Sequence, residues 1–239
     1  MSSSANIALS HQMALQNQMD IIANNIANSS TAGYQGQNTM FAEALTKATT
    51  GDQVAFVQDV GVLRNTESGP LGATNNPLDV SIKGEGYFVI ETEEGQRFTR
   101  NGSFRIDPDG QLVTVDGDPI LAEGDLPIVF APGETDIQVA RDGTISTENG
   151  PIGRLRLVTF ENQQDMSKTG ANMYTTEQEP LEAPDSEFVQ GMLEGSNVQA
   201  VVELTRMIQV MRSYQGAAKL IESEDERSKR AIQTLTKAV

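Results

Sequence analysis

Apolar side chains recur at helical spacing at both ends of the chain and at strand spacing between them. Leu15, Met19, Ile22 and Ile26 follow intervals of four, three and four, which places them on one face of a helix running from about Ala5 to Asn28. Toward the C-terminus Val201, Leu204, Ile208 and Met211 repeat three, four, three on a helix running from about Asn197 to the end. That stripe slips one position after Gln215 and Ala218 and continues through Ile221, Ser228, Ile232 and Leu235. All nine prolines fall between Pro70 and Pro184, and of the 21 glycines only Gly216 lies inside either helical stretch. The breakers are confined to the middle, so the two ends are predicted to be continuous helices.

The middle reads as β-structure. Tyr87 to Glu91 and Gln96 to Arg100 flank the loop Thr92-Glu93-Glu94-Gly95, a hairpin length ending in Gly. Ser103 to Ile106 and Leu112 to Val115 flank Asp107-Pro108-Asp109-Gly110, with Pro in the turn and Gly where positive φ is needed. Ile128 to Phe130, Ile137 to Ala140, Thr144 to Ser146 and Leu155 to Phe160 add short strands. Turn signals every 8 to 12 residues fit a small sandwich or barrel. The predicted fold class is α+β: long terminal helices packing as a coiled-coil-like pair or bundle, with a central domain of short antiparallel strands. The expected divisions are a helical arm at 1–36, an extended connector at 37–76, the β-domain at 77–176, a return connector at 177–196 and a second arm at 197–239. Within the first connector Thr39 to Lys47 is read as a short helix, with Gln53 to Val57 and Val60 to Arg64 extended.

The second helix, at ~40 residues and 1.5 Å per residue, spans roughly 60 Å. A globule of this chain length has a diameter of about 45 Å. An internal two-helix hairpin is the ordinary use of such stripes, yet a first helix of about 24 residues leaves at least ten of the longer one unpaired. An amphipathic helix that outreaches its own globule calls for an external partner.

Charge sharpens this picture. Residues 1–36 carry one charged side chain, Asp20, whereas residues 197–239 carry seven Lys/Arg and five Asp/Glu. Of the net −16, the middle therefore holds −17, between nearly neutral arms. An acidic middle argues against nucleic acid or an anionic membrane, and neutral arms pack beside copies of themselves without repulsion. The chain has no cysteine and one histidine, His11, which removes thiol catalysis and histidine triads. No run is apolar enough to span a membrane and no cleavable secretory signal is visible.

Three asparagines crowd the end of the first helix, in Ala23-Asn24-Asn25-Ile26-Ala27-Asn28, followed by Thr31, Gly33 and Tyr34. Asn is a poor helix former, so either the terminus is solvated or these amides contact neighbouring helices. Ser29 to Gly33 supplies the C-terminal break, while Ser196 with Gln199, or Asn197 alone, is a candidate cap for the second helix. The N-terminal run resembles the signature of the bacterial flagellar rod and hook proteins. Glu194-Gly195-Ser196-Asn197-Val198, with Val202 to Ile208 and Arg212-Ser213-Tyr214, is similar to that family's C-terminal signature. Asn76 to Val80, Gly84 to Phe88 and Phe98 to Gly102 resemble its central domain, so the likeness covers nearly the whole chain.

Other chemistry is thin. Gly84-Glu85-Gly86 precedes a strand and lacks a phosphate-binding lysine, and Asp107, Asp109, Asp116 and Asp118 fit solvated turns better than calcium or a catalytic carboxylate pair. A hydrolase lacks a nucleophile–base pair, and a free-standing coiled-coil adaptor calls for flanking charges that residues 1–36 do not have. No catalytic, cofactor or metal residue is assigned.

The resemblance implies a structural, non-enzymatic subunit of the basal-body rod, exported through the flagellar type III apparatus to the periplasm. It has the terminal helices lining a hollow shaft that transmits torque, and the β-domain meeting neighbours and surrounding rings. Self-association is expected through Leu15, Met19, Ile22, Ile26, Val201, Leu204, Ile208, Met211, Ile221, Ile232 and Leu235. The motif positions are Asn24, Asn25, Asn28, Thr31, Gly33, Tyr34, Gly195, Ser196, Asn197, Arg212 and Tyr214. Expected partners are copies of itself, other rod proteins, the export apparatus and ring proteins, with no nucleic acid, small-molecule substrate or cofactor. The short first connector and single β-domain look most like the proximal rod protein, with the distal rod protein as the alternative.

Overall fold

The protein was analysed as a computed structural model that describes residues 3–47 and 53–237. Helix α1 (Ser3–Ala27) is followed by strands β1 (Gln37–Lys47), β2 (Gln53–Arg64), β3 (Leu71–Ala73), β4 (Val80–Lys83), β5 (Tyr87–Thr92) and β6 (Gly95–Thr99). Strands β7 (Phe104–Ile106), β8 (Leu112–Thr114), β9 (Gln138–Val139), β10 (Thr144–Thr147), β11 (Gly150–Arg154) and β12 (Leu157–Thr159) continue the chain. A single 3-10 turn (Gln163–Asp165) leads to β13 (Ser167–Thr169), β14 (Met173–Thr175), β15 (Leu181–Glu182), β16 (Glu187–Gln190), β17 (Met192–Glu194) and helix α2 (Ala200–Lys237). The two terminal helices and the central antiparallel strands are those that the patterning predicts.

The chain forms two compact units. One comprises α1, the β1–β2 pair and α2; the other comprises Asn28–Gly36 and Asn65–Val198. In the first unit Leu15 and Ile22 of α1 are buried with Val210 of α2, and Met19, Ile26, Met207 and Tyr214 pack around them. Each buried branched side chain contributes roughly 1.5–3 kcal/mol. The side-chain amide of Asn25, near the end of α1, meets Glu203 in the first turn of α2, so the helices run antiparallel.

Residues 39–47, expected as a short helix, are strand. β1 pairs with β2 from Gln37 opposite Arg64 to Lys47 opposite Gln53, with a bulge between Met40 and Phe41. Ala, Leu, Glu and Lys give this stretch a helical local preference, but an eleven-residue ladder of hydrogen bonds overrides it. The first connector is accordingly a long hairpin rather than a tether.

In the second unit the main sheet has the order β13-β14-β6-β5-β12-β15, all neighbours antiparallel. Its central strand, β5, is buried on both faces. Phe88 and Ile90 join Val80, Ile82, Phe104, Ile120 and Phe188 in one core, while Tyr87 and Val89 join Phe98, Leu121, Phe160 and Tyr174 in the other. This explains why Tyr87-Phe88-Val89-Ile90 is an uninterrupted apolar run instead of an alternating one.

The stretch 177–196, expected as a return connector, carries three strands of this unit. β15 pairs with β12, β16 with β4 and β17 with β3. The strands are two to four residues long and broken at Gly191, so they lack the periodicity that would have marked them.

Candidate assembly surfaces and motif residues

In the helical unit Asn25 is 3% exposed. Its Nδ2 donates to the Gln37 carbonyl at 2.8 Å and lies 3.3 Å from Glu203 Oε2, while its Oδ1 accepts from the Gln37 N–H at 3.0 Å. The amide thus bonds both ways to the first residue of β1 and reaches α2. Glu203, itself buried, accepts from Arg206 at 2.6 Å, and the same Arg206 nitrogen is 3.4 Å from Asn38 Oδ1. An amide can satisfy a strand end and a carboxylate together; no apolar side chain can. The solvated reading fits Asn24, which is exposed, and Asn28 lies half-buried, accepting from the Thr31 hydroxyl at 3.2 Å.

The remaining motif residues meet in the second unit. Gly33 donates to the Glu194 carbonyl at 2.8 Å and has φ +65°. A Cβ there would stand 2.5 Å from the Arg100 carbonyl carbon, so only glycine fits. Tyr34 is buried, its ring 4.0 Å below Lys168 Nζ, and its carbonyl accepts from the Asn197 N–H at 3.2 Å. Asn197 Oδ1 accepts from Gly36 N–H at 2.8 Å, and its Nδ2 donates to the Asn65 and Glu67 carbonyls at 2.9 and 2.7 Å. Gly195 donates to the Pro70 carbonyl at 2.8 Å. The expected helix cap is therefore not made by Asn197, whose side chain is engaged by three other segments. Ser196 Oγ accepts from Val198 N–H at 3.2 Å, ahead of α2.

Beneath these segments lies an ion pair that sequence reasoning missed. Arg100 Nε and Glu194 Oε2 are 2.7 Å apart, with both side chains 2% exposed. Arg100 also donates to the carbonyls of Gly86 and Gly84 at 2.9 and 3.0 Å and approaches Ser68 Oγ at 3.2 Å. Glu194 Oε1 accepts from the Gly69 N–H at 2.9 Å. Every charged atom has a partner, as a buried pair requires. The Gly84-Glu85-Gly86 turn thus serves as an acceptor platform for Arg100. Asp107 is likewise a turn former, accepting from the Asp109 and Gln111 N–H groups at 2.9 and 2.8 Å.

The structure divides the predicted self-association residues. Leu15 and Ile22 are buried within the chain, and Met19 and Ile26 pack beside them. Val201, Leu204, Ile208 and Met211 face solvent, at 77%, 50%, 51% and 45% exposure. The face of α2 turned to α1 is instead Glu203, Met207, Val210 and Tyr214, at intervals of four, three and four. Ile221 is half-buried, and the side chains of Ile232 and Leu235 lie outside the described residues. Of the other two motif positions, Tyr214 packs against α1 and Arg212 is exposed. His11 is exposed on α1.

Three family models match in chain order. Residues 4–35 match the flagella basal body rod protein, 81–147 the flagellar hook protein FlgE/F/G D1 domain, and 189–234 the flagellar basal body rod FlgEFG protein C-terminal. The chain is 38% identical over 237 residues to the flagellar basal-body rod protein FlgF of Caulobacter vibrioides, covering 97% of each. The chain belongs to the flagellar basal-body rod family. It is similar also to FlgF of Salmonella typhimurium, 35% identical with 92% of this chain and 93% of the relative covered. FlgG of Buchnera aphidicola from Acyrthosiphon pisum is 33% identical, with 89% and 92% covered. The protein is a structural, non-enzymatic subunit of the periplasmic basal-body rod, and assembles with rod proteins.

Proposed function

We propose that this subunit belongs to the proximal rod, as the FlgF type, and joins copies of itself and other rod subunits through its terminal helices. Those helices line a hollow shaft that carries motor torque. The β-domain meets surrounding layers, and the chain reaches the rod through the flagellar export apparatus. One observation carries the assembly part of this reading: Val201, Leu204, Ile208 and Met211 form an apolar stripe that the chain does not cover. Burial of such a stripe drives association by roughly 25 cal/mol per Å² of apolar area. The proximal assignment is supported by likeness to FlgF over 97% of the chain, against 89% for the FlgG relative.

The test is complementation of a strain lacking this gene with the Ile208→Asp variant. Ile208 touches no core, so the purified variant is expected to keep its melting profile while rods fail to form and cells do not swim. A folded Ile208→Asp protein that restores swimming would sink the assembly reading.

A further inference from the structure

The exposed side of α1 holds a pattern of its own. Leu9, Met13, Gln16, Asp20, Ala23 and Ala27 recur at intervals of four, three, four, three and four, and all six are exposed. This is a second heptad stripe, opposite the one that packs on α2. It ends in two alanines and carries the sole charge of the first 36 residues. The outward stripe of α2 is bulky where the α1 stripe is small, and it is flanked by Arg212. The ion pairs within α2 join Arg206 to Glu203, Arg227 to Glu224, Lys229 to Asp225 and Arg230 to Glu226. Among the described residues Asp20 and Arg212 stand outside any ion pair.

We propose that the outward stripe of α1 in one copy docks on the outward stripe of α2 in a second copy of this chain, with Asp20 paired to Arg212. The inference rests on the assembly reading above and assigns its interface and register. Copies pointing the same way along a shaft set α1 of one antiparallel to α2 of the next, as within the chain. With Asp20 level with Arg212, Met13 lies seven residues, about 10 Å, along α1, and Leu220 lies eight residues, about 12 Å, along α2. Both are exposed apolar side chains, 67% and 52%, so they meet. In the other direction Ala23 and Ala27 come level with Ile208 and Leu204, and the small residues let the large ones seat. The charge pair, the apolar pair and the small-on-large pairing thus share one register. The pair also selects orientation: a flipped α2 would put Met13 beside Thr205.

The chain has no cysteine, so cross-linking reads this register without background. Two differently tagged full-length chains, one with Met13→Cys and one with Leu220→Cys, are co-expressed in flagellated cells and mildly oxidised. The expected product is the mixed dimer, in excess over like-with-like dimers. Asp20→Arg on the first chain should reduce it roughly tenfold, and adding Arg212→Asp on the second should restore it to within about threefold. Like-with-like products, cross-links to other rod subunits only, or failure of the paired reversal would overturn this interface while leaving the assembly reading intact. No cross-link of any kind, together with swimming restored by Ile208→Asp, would remove both.

Discussion

Removing the Glu194 carboxylate isolates the buried Arg100 charge. In Glu194→Ala the guanidinium keeps its neutral acceptors at Gly84, Gly86 and Ser68 but loses its counter-charge at 2.7 Å, and the Gly69 N–H loses its acceptor. Breaking a buried pair in this way costs roughly 3–5 kcal/mol, because the surviving charge stays desolvated. For a unit of about 140 residues each kcal/mol moves the melting midpoint by about 3 °C, giving a loss of roughly 10–15 °C. Differential scanning calorimetry of the full chain resolves this as a shift of the β-domain transition. Glu194→Gln keeps an acceptor for Gly69 and a neutral one for Arg100, so its loss should be about half as large. A midpoint within 3 °C of wild type for Glu194→Ala would refute the reasoning, since the pair would then be solvated or dispensable.

Three further perturbations test other parts of the account. Asn25→Leu strands the N–H and carbonyl of Gln37 and one face of Glu203; it should destabilise the helical unit by roughly 2–4 kcal/mol in denaturant titrations while leaving the β-domain transition in place. Gly33→Ala combines positive φ with a clash against the Arg100 backbone, and its β-domain midpoint should fall by more than 3 °C, the amount expected for about 1 kcal/mol. Burial raises the Asp118 carboxyl above its ordinary pKa of 3.8, neighbouring Asp116 adds to this, and a hydrogen bond with Thr114 opposes it. A folded pKa above the unfolded one favours the protonated native form, a contribution present at low pH and lost as pH rises through the folded value. Asp118→Asn should therefore raise the β-domain midpoint at neutral pH, and that advantage should vanish by about pH 3.

The helices and the core strands were legible because one periodicity governs each: 3.6 in α1 and α2, and a continuous apolar run in β5. What periodicity could not settle was which of two stripes on α2 faces inward. Val201-Leu204-Ile208-Met211 is the more apolar, yet Glu203-Met207-Val210-Tyr214 packs on α1, where Asn25 offers an amide to Glu203. The polar residue on the inner stripe disguised it. The β1–β2 hairpin was illegible because Thr39 to Lys47 has helical preferences, and its strand form depends on residues 53–64. Arg100 and Glu194 are 94 positions apart, and no local pattern links them. The motif itself was visible, but its physical meaning was not: Gly33 and Asn197 knit the segments that enter and leave the β-domain, and Asn25 fixes the start of β1.

The central claim is that the outward stripe of α2 is open in the free subunit and covered in the rod. Thiol labelling of an Ile208→Cys chain tests it directly, since that cysteine is the sole thiol in the protein. The account predicts rapid maleimide labelling of the purified, folded subunit and strong protection of the same site in isolated basal bodies. Equal labelling in both would contradict it.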